Sequence, residues 1–408
     1  MTFINSHETN CDNEKAADSV VQPDLRLWSD RDPNLHRKGI YPFEVTNEAL
    51  LTALDLIGAS SDSISEVEVK LSDSTLWCAT KSKNGAFGAV APVALPGRTE
   101  TGAAPVRFSI KARRFYKAAK YFIGQISFVF DRNVAKLDVN NGTTHGHFDV
   151  IPLPAEEADD EGRSLGQILV PSDLRDGVRY ASVLSQRKSP PSFRFQGLRI
   201  ADGRVTSGYL KAVSCYACPS LPAGLDVTLP RQHIVAARSL FGKFRGKINV
   251  VETASRIHLR SPDLEIYWTK DGNWPKYSEI RKNAILATAE VDSTHLMGWL
   301  GIFSYLFETL RFEIGKGDEG RMLSILADAA DSAHRGGKMS FPVVACSTDA
   351  EHDVATWDVT VSAKDAFEAA AAVRTPFTAI RAFDRGLSIE ALGSDVECKT
   401  MLFGVERQ

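Results

Sequence analysis

The residues best able to do chemistry in this 408-residue chain fall into a few sets. The largest is cationic. Lys111, Arg113, Arg114, Lys117 and Lys120 recur at helical spacing with no acid between 111 and 123, and Arg231, Arg238, Lys243, Arg245 and Lys247 form a second series, with Arg175 and Arg179 in a third segment. Like charges three or four apart on a helix repel by a few tenths of a kcal/mol per pair, so such stripes call for an anionic partner. Cys215-Tyr-Ala-Cys218 has the spacing of half a zinc site or a redox pair. No second pair stands at a matching distance, and His233 and His258 are isolated. His145-Gly-His147 supplies at most two ligands. Gly315-Lys-Gly-Asp-Glu-Gly320 fits G-x-G-x-x-G after the apolar run 310–314, which suits dinucleotide binding only if 322–330 is a helix. No G-x-S-x-G, H-E-x-x-H or P-loop occurs, and paired acids such as Asp159 and Asp160 lie in linker-like sequence. No catalytic residue, metal site or cofactor is therefore expected.

Composition sets the frame for these residues. With 43% hydrophobic and 24% charged residues the chain reads as globular, and 408 residues suit two or three domains. The net charge of −3 excludes binding to nucleic acid by bulk positive charge but leaves room for a local basic surface. Six scattered cysteines fit a reduced compartment better than a disulfide framework. No run of eighteen apolar residues occurs, and the first fifteen residues lack the pattern of an export signal, so a cytoplasmic protein is expected.

One pattern recurs along the chain. Residues 1–39 are polar and read as a flexible leader. From Tyr41 a strand leads to a helix with Leu50, Leu51, Leu54 and Ile57 on its apolar face, followed by alternating strands. Similar units begin near 106, 167, 225, 288 and 356, with expected helices over 111–123, 171–184, 230–240, 293–307 and 362–373. Six strand–helix–strands units, taken in pairs, give three α+β domains of about 123 residues each. The expected boundaries place them at 40–157, 163–283 and 284–408.

Three local motifs then suggest a family. Asp271-Gly-Asn-Trp-Pro-Lys-Tyr-Ser-Glu-Ile280 resembles the Asp-Gly-Lys-Phe-Pro-Asp-Tyr-Arg-Arg-Val element of the bacterial DNA polymerase III β subunit, the sliding clamp. Val227-Thr-Leu-Pro-Arg231 resembles that family's Val-Pro-Arg-Lys helix start. His147-Phe-Asp-Val-Ile-Pro-Leu-Pro-Ala155 resembles Arg-Phe-Ser-Leu-Ser-Thr-Leu-Pro-Ala. The likeness runs from about Phe43 to Arg407 and is that of a divergent member. Tyr209-Leu-Lys-Ala-Val-Ser-Cys215 stands where the family has Ala-Thr-Asp-Gly-His-Arg-Leu, and Phe403-Gly-Val-Glu-Arg407 replaces a terminal Met-Pro-Met-Arg-Leu.

The resemblance implies three clamp-type domains per chain, closed as a homodimer into a ring with helices lining the hole and sheets outside. It implies a non-enzymatic processivity factor on double-stranded DNA, with DNA polymerase and clamp-loader subunits as partners. Lys111, Arg113, Arg114, Lys117, Lys120, Arg175, Arg179, Arg231, Arg238, Lys243 and Arg245 would meet phosphates without reading bases. A groove for hydrophobic peptides would be lined by Phe195, Leu210, Val213, Cys215, Pro275, Ile280, Met401, Leu402, Phe403 and Val405. Phe148, Val150, Ile302 and Phe307 would meet across the dimer, while Trp299 and Phe303 read as core. In the clamp pattern Gly315–Gly320 belongs to a hairpin. A clamp-like docking scaffold that does not encircle DNA is the alternative, followed by a nucleotide-dependent enzyme using the glycine motif.

Overall fold

The computed structural model describes residues 35–61, 64–72, 74–82, 85–96, 106–154, 162–185, 197–209, 212–270, 285–317, 320–327, 337–346, 357–393 and 397–404. The expected boundary stretches fall almost wholly outside these residues. Within them one element order occurs three times: strand, helix, three strands, strand, helix, three strands.

The first repeat comprises β1 (Ile40–Thr46), α1 (Asn47–Leu56), β2 (Glu66–Leu71), β3 (Thr75–Lys81), β4 (Phe87–Ala94), β5 (Val106–Lys111), α2 (Ala112–Tyr121), β6 (Gln125–Asp131), β7 (Lys136–Asn140) and β8 (His145–Asp149), plus a short β9 (Ile151–Leu153). Period-two alternation builds it: β2 buries Val67, Val69 and Leu71 and turns Glu66, Glu68 and Lys70 the other way. The two halves exchange strands, with β1 on β6 and β5 on β2.

The second repeat runs through β10 (Arg163–Ile168), α3 (Pro171–Ser185), β11 (Gly197–Ala201), β12 (Arg204–Tyr209), β13 (Ala212–Ala217), β14 (Asp226–Pro230), α4 (Ile234–Phe241), β15 (Ile248–Glu252), β16 (Arg256–Arg260) and β17 (Glu265–Thr269). The third has β18 (Ile285–Asp292), α5 (Ser293–Leu306), β19 (Thr309–Gly317), β20 (Gly320–Ala327), β21 (Gly337–Cys346), β22 (Asp358–Ser362), α6 (Ala363–Ala372), β23 (Phe377–Phe383), β24 (Gly386–Leu392) and β25 (Cys398–Phe403). The same exchange recurs as β10 on β15, β11 on β14, β18 on β23 and β19 on β22.

Sheets continue from one repeat into the next. β4 pairs with β17, from Val90 opposite Glu265 to Phe87 opposite Trp268, and β13 pairs with β25, from Ala212 opposite Leu402 to Tyr216 opposite Cys398. The first seam also stacks Phe87 on His233, with ring centroids 5.2 Å apart, and Thr269 donates its backbone N–H and its hydroxyl to the Ala86 carbonyl. Gly88 is required there, because a Cβ would lie 2.4 Å from the Tyr267 ring and 2.8 Å from the Thr80 carbonyl. In the second seam the Thr400 hydroxyl lies 3.1 Å from Tyr180 Oη and 3.0 Å from Ser214 Oγ, all buried.

The helices also form one layer. α1 packs on α2, α3 on α4, and α5 on α6; α3 touches α6 across the second seam. Lys243 at the end of α4 donates to the Asp55 carbonyl of α1 across the first. Among the described helices the order is thus α2, α1, α4, α3, α6, α5, with α2 and α5 outermost.

Several expectations change in detail. The helix placed at 230–240 begins at Ile234, since Pro230 has φ −59° and ψ 145° and completes β14. The alternating stretch 146–151 belongs to two strands: Val150 turns inward between β8, paired with β7, and β9, paired with β5. The stretch 322–327 is strand, paired with β19 from Arg311 opposite Leu326 to Gly317 opposite Gly320. The glycines therefore lie on a hairpin, and the strand-to-helix turn that would cradle a dinucleotide is absent.

Candidate nucleic-acid interface

The helix layer carries the cations, and α2 most of all. Its buried stripe is Ala112, Phe115 and Ala119, with Phe115 set edge-on to Phe128 and Phe148. Arg113, Arg114, Lys117 and Lys120 all stand exposed on the opposite side. The local charge pattern works against the helix itself. α1, α5 and α6 are capped by the side chains of Thr46, Asp292 and Ser362, which accept from Ala49, His295 and Asp365 N–H groups. α2 has no side-chain cap and places two arginines where the helix dipole favours acids, at a cost of about 0.3–1 kcal/mol each. A concavity of about 440 Å³ is lined by Ile64, Ser65, Lys111, Arg113, Arg114 and Lys117. Lys111 lies 2.8 Å from Glu66. That bond and another from Ser109 hold the Glu66 carboxyl below its ordinary range.

The second repeat presents a sparser set. Arg179, Arg238 and Arg245 are exposed, and Arg179 and Arg238 share a recess of about 430 Å³ with Tyr180, Tyr216 and Arg374. Arg175 is bound to the neighbouring Asp176 at 2.9 and 3.2 Å. Arg231 is half-buried. Lys243 serves the first seam, and burial lowers the pKa of its amine. Lys364 and Arg374, missed in the sequence, add charge in and just after α6.

The expected dimer residues separate. Val150 is 5% exposed and belongs to the core, and Phe148 packs on that core. Phe307 packs against the third repeat's core, set edge-on to Phe303, while Ile302 is 53% exposed. Phe303 is core as expected, but Trp299 is 40% exposed and Tyr305 is 89% exposed. The signal was in the sequence: α5 is apolar all round, a pattern that belongs to a helix covered on every side.

Of the groove set, Phe195, Leu210, Pro275, Ile280 and Val405 lie outside the described residues. Val213, Cys215 and Leu402 are buried in the β13–β25 seam, and the half-buried Met401 and Phe403 retain some surface. The C-x-x-C thiols are buried in the apolar interior, and burial pushes both upward, against nucleophilic or ligand chemistry. Among the described residues no cluster of three metal-ligating side chains occurs, and no helix is long and apolar enough to cross a membrane.

No protein-family model matches the chain, and no curated protein matches it by sequence. Solved structures do match. A DNA polymerase III subunit beta from Pseudomonas aeruginosa superposes with a TM-score of 0.72 at 15% identity, covering 90% of this chain and 100% of that one. The Bacillus subtilis sliding clamp gives 0.71 at 10% identity, and the Streptococcus pyogenes beta subunit 0.71 at 11%, each with the same coverage. With the repeated exchange of strands, the sheets continuing through both seams and the single helix layer, the likeness establishes that the chain has the α+β fold of the bacterial DNA polymerase III β sliding clamps.

Proposed function

We propose that the protein is a DNA sliding clamp, with three clamp-type domains at 40–157, 163–283 and 284–408. One observation carries this reading: a continuous helix layer bearing exposed cations lies over sheets in which, among the described strands, β8 and the first part of β21 each keep one side unpaired. The seams follow one rule. The last strand of a repeat's first half pairs with the last strand of the next repeat's second half, as β4 does with β17 and β13 with β25. Applied once more, the rule pairs β21 with β8 of a second copy. Among the described strands β8 is paired on one side only, by β7, and Gly337–Pro342 of β21 only by β20. Open edges of this kind are filled in stable proteins, and two such pairings close two chains head to tail. The exposed apolar face of α5, at the same end as β21, would be covered in that closure.

In the ring the cations of α2, α3 and α4 face the hole and meet phosphates without base readout, so the protein moves along duplex DNA. It works in the cytoplasm as a non-enzymatic tether, holding a DNA polymerase or loader by a hydrophobic peptide at the groove near Met401 and Phe403.

The test is topological. A closed ring loaded on nicked circular DNA stays bound in salt that strips it from a linear fragment of equal length. Equal retention on both would remove encirclement and leave the docking scaffold.

A further inference from the structure

On the sheet face away from the helices, at the seam between the first two repeats, is a cleft of about 250 Å³. Its lining includes Lys70, Lys81 and Arg107 from the first repeat and Arg256 and Arg260 from the second. Among the described residues two carboxylates line it, Glu68 and Glu265, against these five cations. Each carboxylate holds cations of its own repeat. Glu68 takes Lys81 and Arg107, whose side chain is 10% exposed; Glu265 takes Arg260 at 3.1 Å and His258 Nδ1 at 2.6 Å. The Arg256 guanidinium lies 4.8 Å over the Tyr267 ring, and the His258 ring packs beside that tyrosine. Outward-facing positions of a sheet are normally solvated, yet His258 is 1% exposed and its Nε2 is buried without a partner. Glu68 and Glu265 therefore fix Arg107 and Arg260 in place, while Arg256 is held over the Tyr267 ring.

We propose that this cleft binds a phosphate-type dianion, free or carried on a nucleotide. Guanidiniums converging from two sides suit a phosphate's several oxygens better than a single carboxylate, and side chains already held by ion pairs lose little freedom on binding. The anion would sit between cations of two repeats, screening their repulsion and tightening the seam. The site is on the opposite face from the cationic helices, and the proposal holds whether or not the protein encircles DNA.

The test is calorimetric titration of the full chain with pyrophosphate and with ADP at constant ionic strength, with melting curves alongside. Saturable binding that raises the melting temperature is expected. Arg256→Gln, which leaves every carboxylate ion pair described above intact, should weaken it about tenfold, the loss of one charge-assisted contact. Equal affinity for the two probes would mean that the phosphates alone are read, and tighter ADP binding that the base also seats, against Trp77; either supports the site. Absence of saturable heat with both probes overturns it. So does an affinity indifferent to Arg256→Gln and Arg260→Gln, or one that follows Arg114 and Lys117 on α2 instead.

Discussion

The two ends of the helix layer, α2 and α5, hold equivalent edge places and differ in everything they show to solvent. Both bury an apolar stripe against a sheet, Phe115 and Ala119 in one, Leu300 and Phe303 in the other. On its outer side α2 carries four cations and no acid; α5 carries Trp299, Ile302 and Tyr305 and neither lysine nor arginine. Burying a stripe is what the fold demands of a helix, and both comply. The opposite side is free to answer whatever covers it. A cationic side is stable in water and waits for an anion, whereas an apolar side of this size asks for a protein surface.

Charging the apolar end should have the largest effect. Ile302→Asp with Tyr305→Asp alters two exposed positions, so the monomer should fold. In a dimer the pair would bury unpaired carboxylates, which costs about 3–5 kcal/mol. Sedimentation of wild type should give twice 44.7 kDa and of the variant 44.7 kDa. A variant that remains dimeric would move the interface away from α5. Substitution at Val150 could not make this distinction, because a charge there would unfold the first repeat.

Neutralising the other end should change a slope and leave the mass alone. With Arg114, Lys117 and Lys120 replaced by Gln, the dependence of log affinity on log salt should flatten by up to about 0.9 for each phosphate contact removed. The stability of α2 should hold or rise, since a first-turn cation opposing the dipole is gone. An unaltered slope would place the DNA path along Arg179 and Arg238.

How much of this was legible beforehand follows from the range of each signal. Periodicity is local, and it placed all six described helices and the tripled unit; its errors, at Pro230 and Val150, sit where the chain passes from one element or sheet to another. Charge spacing found the α2 stripe for the same reason. It could not see that Lys243 would reach Asp55, because that pairing is set by tertiary geometry, whereas Asp176 stands next to Arg175 in the sequence and was passed over. Trp299 was misread as core because hydrophobicity reports that a side chain wants cover without saying whether its own chain supplies it. The outer cleft escaped altogether: Arg107 and Arg256 are about 150 residues apart and meet only because β4 pairs with β17.

Both ends act as one stiff layer only if the seams hold, and the seams can be tested. Gly88→Ala would force a Cβ to 2.4 Å from the Tyr267 ring and 2.8 Å from a backbone carbonyl, and only the ring can yield. Overpacking of this kind costs about 1–3 kcal/mol. The expected result is a lower melting temperature with earlier exchange of the Phe87–Val90 amides, while α5 and β25 stay protected. Uniform loss of protection would mean that the repeats unfold as one unit.

The smallest expected effect is a pH dependence at the same seam. His233 is buried against Phe87, and burial lowers its pKa below the ordinary histidine value of 6.5. In the folded chain the imidazole therefore stays neutral where the unfolded chain would protonate it. Below pH 6.5 the unfolded state takes up more protons, so this contribution is complete above 6.5 and is lost as pH falls toward the lowered value. Several carboxylates titrate near the lower end of that range, so the informative quantity is a difference. His233→Phe keeps an aromatic ring against Phe87 and removes the titration, so the gap in melting temperature between variant and wild type should shift in the variant's favour between pH 7 and 5.5. A shift of about 1–3 °C is expected, with wild-type amides near Phe87 losing protection first. A gap that stays constant with pH would show that protonation of His233 is not what loosens the seam.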